Sequence, residues 1–264
     1  MSILQFLTSA WSWNPTLLFL CGVAFAGYVA RFGWHARIGF VLGAMVVLLL
    51  TLSSPLNALA DGYLFSAHMA QHILLLLAVP ALMLWSLPSD FLLAKPVQKL
   101  VHPLVSWLCG VGAMWLWHMP ALCNAAASSR PVSYVQTLSL LVMGFVFWWQ
   151  TLAPNIGQRL SPPGAVIYLF TACLGCTALG IILTFAPVSV CSVYVHPVDR
   201  LNMLDTIRHS WGITPERDQQ IGGLLMWVPM CLIYLSAIFA QFARWYGAPA
   251  AAFARAIPAR EGNT

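Results

Sequence analysis

Residues 66–85, SAHMAQHILLLLAVPALMLW, set two imidazoles four places apart at the head of a run otherwise suited to lipid. On a helix, residues i and i+4 stand one above the other with Cβ atoms about 5–6 Å apart. His68 and His72 would then offer two nitrogens to one side, which is chelate geometry. Whether the run is helical therefore decides the fold and the site together. Its apolar part, ILLLLAV, is continuous, whereas a strand of a membrane barrel alternates apolar and polar residues with period two. A helix crosses the hydrocarbon core, about 30 Å thick, with about 20 mainly apolar residues, because it rises about 1.5 Å per residue.

The rest of the chain follows this lead. Of 264 residues, 60% are hydrophobic and only 7% charged, against about 25% charged in an ordinary soluble domain. The expected fold is all-α and polytopic, one membrane domain over residues 1–264 with seven transmembrane helices. The spans are expected near 14–30, 37–56, 63–87, 103–122, 133–152, 163–187 and 219–246, with an outer loop at 188–218. The start, MSILQFLTSAWSWNP, lacks the basic region and small-residue cleavage site of a signal peptide, so the first span is expected to be retained. The formal charge of +5 is spread over loops and termini, which gives no basic block for nucleic acid.

Charge does bear on orientation. With the N-terminus outside, the inner loops and C-terminus hold Arg31, Arg37, Lys95, Lys99, Arg159, Arg244, Arg255 and Arg260, and the outer face only Arg130, Arg200, Arg208 and Arg217. The positive-inside rule then favours N-terminus out and C-terminus in. In that arrangement His68, His72, His118, His196 and His209 fall on the outer side, while His35 and His102 fall on the inner side. Met114 and His118 share a helix face at i and i+4. In ITPERDQQIGGLLMWVP, Thr214 reads as an N-cap and Pro215 as the first helical residue, which sets Asp218, Gly222 and Met226 on one stripe.

One histidine within a membrane can be a packing contact between helices, worth about 1 kcal/mol or less. Three at one depth, His68, His72 and His118, point to a metal or a cofactor, since ionisable groups in membranes lean towards function. Met69, Met114, Met119, Met226 and Met230 could add thioether sulfur, which selects monovalent copper, although methionine is also ordinary apolar filler. Asp218 could act at the site or complement its own helix dipole, and Asp61 reads as a loop or cap residue. His196 and His209 lie in a loop, where exposed histidines are common.

Seven cysteines, an odd number, exclude a fully paired disulfide framework. Cys173 and Cys176 form a CLGC mid-span, read as small residues allowing close helix approach, with passage of Cu(I) as the alternative. The chain has no HExxH, Walker A, GxSxG or CxxCH motif, which counts against hydrolysis, nucleotide-driven transport and covalently held haem.

The stretches SAHMAQHILLLLAVPALML, WLWHMPALCNAA, VFWWQTLAP, ILTFAP and DQQIGGLLMWVP, in that order, resemble the CtaG-type cytochrome c oxidase assembly factors. These are bacterial inner-membrane proteins linked to copper delivery and to biogenesis of haem-copper oxidases. The resemblance runs from about Trp13 to Tyr246. It implies that His68, His72, His118 and Asp218 are the matching polar positions, with copper as the ligand.

The expectation is a multi-pass protein of the bacterial inner membrane, an assembly factor or metallochaperone rather than an enzyme. It would hold copper as Cu(I) at His68, His72 and His118 near the periplasmic face. Asp218, Met69, Met114, Met119 and Met226 are secondary ligands or gates, and Asp61, His196, Cys173 and Cys176 are weaker candidates. The expected partners are the bilayer, a haem-copper oxidase subunit and a periplasmic copper donor. Two rivals stay open: a b-type haem oxidoreductase with these histidines as axial ligands, and a proton-coupled transporter.

Overall fold

The computed structural model describes residues 3–187 and 189–256, whose regular structure is all helix, with no strand among the described residues. Val188, at the head of the expected outer loop, and Arg260, one of the charges weighed for orientation, lie outside them.

The helices are α1 (Ile3–Ser9), α2 (Pro15–Phe32), α3 (Ile38–Ser53), α4 (Pro55–Ala60), α5 (Phe65–Ile73), α6 (Val79–Ser86) and α7 (Lys95–Leu100). They continue with α8 (Pro103–Trp117), α9 (Pro120–Ser128), α10 (Arg130–Leu152), α11 (Pro162–Phe185) and α12 (Pro215–Ala256). Proline opens many of them, because its missing N–H costs nothing in the first turn and its φ is already helical. The residue before often caps: the Asn14 side chain accepts from Thr16, Ser54 from Leu56 and His102 from Leu104. Thr214 likewise accepts from the Arg217 amide, as its place before Pro215 suggests.

Among the described residues, five helical segments are long and apolar enough to cross a membrane: Pro15–Phe32, Phe65–Ser86, Arg130–Leu152, Pro162–Phe185 and Pro215–Gly247. The two remaining expected spans are shorter, 16 residues in α3 and 15 in α8, or about 24 and 22 Å of helix at 1.5 Å per residue. Hydropathy alone merged each with its neighbour. Ser54–Pro55 breaks α3 from α4, and His118–Met119–Pro120 breaks α8 from α9. Large apolar side chains such as Phe19, Ile167 and Phe239 stand 68%, 65% and 68% exposed, as lipid-facing residues would.

Chain direction defines two ends. The start of α5, helix α9, the start of α10, the end of α11 and the start of α12 share the end that carries His68, His72 and His118. The turns 33–37, 87–102 and 153–161 share the other. Along the bundle axis α12 lies against both α5 and α11. A Cβ on Gly222 would strike the Phe65 ring at 2.6 Å, and one on Gly223 would strike the Thr184 backbone. The GG pair therefore lets two helices touch α12 at a single level.

Segment 189–214 folds over the histidine end. It contains a 3-10 turn at Ser192–Tyr194 and a π turn at Thr206–Ser210. Met203 and Ile207, both fully buried, pack with Phe6 of α1 and with Tyr63, Leu64 and Ala67.

Candidate functional site

Helix α5 starts without a cap of its own, since Leu64 offers no side-chain acceptor. Asp218, 0% exposed, supplies one from α12. Its Oδ2 accepts from the Phe65 amide at 2.6 Å, and its Oδ1 accepts from the Ser66 amide at 3.0 Å and the Ser66 hydroxyl at 2.6 Å. A carboxylate at a helix N-terminus meets orphan N–H groups and the positive end of the dipole together. The first turn of α5, and with it His68 two residues on, is fixed by this contact.

Just past His72 the helix widens into a π turn, Leu74–Ala78, before Pro80. Proline cannot donate to the carbonyl four residues back, here Leu76. Helix α10 passes beside that carbonyl at Gly144, where any Cβ would collide with the Leu76 oxygen. Single π turns often accompany functional sites, and this one adjoins the histidine pair.

The two imidazoles of α5 face the same side, as the i, i+4 spacing requires, with ring centroids 4.4 Å apart. His118 arrives from the end of α8, its ring 5.2 Å from that of His72. All three are buried, 8%, 1% and 4% exposed. His68 and His72 line a cavity of about 40 Å³ together with Gln71, Gln136, Asp61 and Tyr194. His68 Nε2 has no hydrogen-bond partner among the described residues, while the nitrogens of His72 and Gln136 Nε2 make no well-formed hydrogen bond although the Gln136 amide stands close enough to interact with the His72 ring. A buried polar atom left unpaired costs about 1–3 kcal/mol, so these weakly satisfied donors and acceptors mark the small cavity as a polar spot in an apolar bundle.

The tautomer of His118 follows from its contacts. Its Nδ1 lies 2.5 Å from the Met114 carbonyl, which can only accept, so Nδ1 carries the proton. In the neutral ring Nε2 is then a bare lone pair, and it faces Met69 Sδ at 2.9 Å. Nitrogen and thioether lone pairs converge with no proton between them. Such a pair suits a soft cation, and holding one ring nitrogen to orient the other is how protein metal sites fix an imidazole.

Segment 189–214 forms a cap that closes the histidine end of the bundle. Tyr194 packs its ring 5.8 Å from that of His68 and donates its hydroxyl to Ala60 O at 2.9 Å. Burial, reinforced by the charges of Asp61 and Asp218, pushes the Tyr194 phenol well above its ordinary range, so it remains a donor. A disulfide joins Cys123 of α9 to Cys191, three residues before Tyr194. Asn124 Oδ1 accepts from the Ser192 hydroxyl at 3.0 Å and the Val193 amide at 3.2 Å. Arg208 donates to Tyr194 O at 3.0 Å.

Other expected residues lie elsewhere. Met114 and Met226 are fully buried in the main core, and Met119 is 54% exposed ahead of α9. Asp61, the C-terminal cap residue of α4, is on the cavity wall, whereas Asp218 is at the foot of α5 and not on that wall. His196 is exposed in the cap. Cys173 meets Cys231 of α12 at 3.5 Å and Cys176 meets the Tyr234 hydroxyl at 3.8 Å, so the CLGC faces α12 and not the histidines. Among the described residues, no group of three or more His, Cys, Asp or Glu side chains is arranged to hold a metal as it stands.

Sequence reasoning missed Gln136, Gln71, Tyr194 and the disulfide. Gln136 sits in an apolar span without a motif around it, and Gln71, inside the SAHMAQH stretch, was overshadowed by the histidines beside it. Cys123 and Cys191 did carry a signal, since both belong to the outer side in the expected topology.

A sequence model of one family, described as cytochrome c oxidase caa3 assembly factor (Caa3_CtaG), matches residues 17–248. An uncharacterized protein of Mycobacterium leprae (strain TN) is 23% identical over 277 residues, covering 92% of this chain. The chain spans only 40% of that relative's length. No solved structure matches.

Proposed function

The chain belongs to the cytochrome c oxidase caa3 assembly factor family, and from that premise we propose that it holds Cu(I) at His68, His72 and His118 and passes it to a haem-copper oxidase subunit. The observation that carries this reading is the cluster of three buried imidazoles, with His68 Nε2 unpartnered, beside a His118 lone pair that faces a thioether. Cu(I) accepts a few imidazole and thioether donors, and Met69 is the sulfur at hand. Copper here is cargo. A site of two or three neutral ligands, one of them shared with sulfur, binds less tightly than a closed thiolate site and releases its ion by ligand exchange.

The topology proposed with it has seven membrane crossings, N-terminus out and C-terminus in, in a bacterial inner membrane. The disulfide favours this orientation independently of charge. Disulfides persist in oxidising compartments such as the periplasm, and Cys123–Cys191 lies at the histidine end. A periplasmic donor would then supply copper across the cap. The cavity of about 40 Å³ has room for an ion beside the imidazoles.

The test is anaerobic Cu(I) loading of detergent-purified protein, wild type beside His68→Ala/His72→Ala, with metal content and optical spectrum read together. Copper retained by the wild type and lost by the variant supports the reading. Equal copper in both removes the site, and a Soret band in the purified wild type restores the haem rival. In cells the same variant should lower oxidase activity while protein abundance stays near normal.

A further inference from the structure

At the end of the bundle opposite the histidines, a cavity of about 450 Å³ opens between the start of α3, the end of α6 and the end of α10. Two guanidiniums, Arg37 and Arg159, stand on its wall, and the rest of that wall is apolar, with Phe40, Leu84, Trp85 and Leu152. Phe40 and Trp85 meet edge to face at 5.9 Å and remain 41% and 46% exposed. Each arginine gives one nitrogen to the chain: Arg37 Nη1 donates to Leu87 O at 2.7 Å, and Arg159 Nε to Ala153 O at 2.5 Å. These bonds fix where the cations stand without neutralising them. Among the described residues neither has a carboxylate within 4.0 Å.

The local electrostatics are unfavourable as they stand. Burial, and then the neighbouring Arg244 guanidinium, lower the pKa of Arg159. Like charges gathered at the edge of a low-dielectric bundle repel unless an anion comes between them. The requirements for that anion are specific. It must present oxygens to a pair of forked donors, and it must also cover an aromatic and aliphatic wall at the level where spans meet water. Guanidiniums match phosphate oxygens in a bidentate fashion, basic pockets between membrane helices take lipid headgroups, and Trp marks the headgroup layer.

We propose that this cavity binds an anionic phospholipid, with Arg37 and Arg159 on the headgroup phosphate and an acyl chain along Phe40, Leu84 and Trp85. The bound lipid clamps the first turn of α3 and the end of α6 to the turn after α10. It fastens the bundle at the end the histidines do not occupy. This site does not rest on the copper reading, and its test uses no metal.

Full-length protein, delipidated in a neutral detergent, is titrated separately with phosphatidylglycerol, phosphatidylcholine and inorganic phosphate, and bound lipid is counted by native mass spectrometry alongside thermal unfolding. Phosphatidylglycerol should be retained at one tight site per chain and raise Tm, with phosphatidylcholine retained at least tenfold more weakly. In Arg37→Gln/Arg159→Gln the tight site should be lost, and Arg37→Lys/Arg159→Lys should keep part of it, since charge survives without the fork. Equal retention of both lipids by the wild type would overturn the proposal with no variant needed. So would a Tm rise reproduced by inorganic phosphate alone, which would make this a free-anion site. Unchanged retention in a folded double Gln variant would overturn it as well.

Discussion

Asp218 holds Ser66 twice, by its amide at 3.0 Å and its hydroxyl at 2.6 Å, across 152 residues of sequence. The carboxylate is thus the cap of a helix other than its own, and that helix carries two of the three site histidines. Asp218→Ala leaves the Phe65 and Ser66 amides buried without an acceptor, a loss of about 1–3 kcal/mol for each. At about 2–4 °C per kcal/mol for a chain of this size, Tm should fall by several degrees and Cu(I) retention should fall with it. Asp218→Asn keeps one oxygen and should lie between. A ligand or gate role predicts something else, namely copper lost at an unchanged Tm.

The lone pairs of His118 Nε2 and Met69 Sδ, 2.9 Å apart, give a second test. Met69→Leu conserves volume in a fully buried position, and such exchanges usually cost less than about 1.5 kcal/mol. The fold should survive. Cu(I) affinity, measured by competition with a chromophoric chelator, should drop about tenfold or more, equivalent to about 1.4 kcal/mol. Binding of Zn(II), which gains little from a thioether, should hardly change. Loss of both metals to the same degree would mean that Met69 only packs.

Much of the architecture is legible in the sequence because lipid imposes a coarse rule. An apolar run of about 20 residues has few other uses, and the i, i+4 spacing brought His68 and His72 together without tertiary information. Short helices were harder. Hydropathy cannot see that Ser54–Pro55 and Met119–Pro120 begin new helices, α4 and α9. Asp218 was visible as polar and out of place, but its own helix N-terminus offered a sufficient explanation. The amides of Phe65 and Ser66 become its partners only after Gly222 lets α12 close on α5. Gln136 and Tyr194 reach the cavity wall by packing alone, and no spacing rule announces them. The cysteine count hid one bond by excluding a complete set.

That bond makes a countable prediction. With Cys123 joined to Cys191, five cysteines remain free. Denatured protein that has not been reduced should take up five maleimides, and all seven after reduction. Cys123→Ser/Cys191→Ser removes a constraint between α9 and the turn that carries Tyr194, so the cap should loosen. Protease cleavage within 196–214 should accelerate and Tm should fall. Seven maleimides before reduction would show that the bond does not form in the purified protein.

The cap has a second fastener whose strength depends on pH. Asp199 accepts from the Tyr63 hydroxyl at 3.0 Å and from the Met203 and Leu204 amides at 2.8 and 3.2 Å. Desolvation is the largest single influence and pushes its carboxyl up, but the hydrogen bonds from Met203, Tyr63 and Leu204 together outweigh it, leaving the pKa below the ordinary 3.8. A carboxylate with a depressed pKa stabilises the folded form above its unfolded value, and that contribution is lost as pH falls through the folded one. The cap should therefore be equally firm at pH 7 and pH 5 and loosen only below about pH 4, so copper uptake across it should not change in mildly acidic buffer for this reason. Hydrogen exchange at Met203 and Leu204 reads the effect directly. Protection factors should fall below pH 4 in the wild type and be low at every pH in Asp199→Ala, whose Met203 amide has lost its acceptor. Full protection in Asp199→Ala would mean that the buried Met203 and Ile207 side chains hold the cap without the carboxylate.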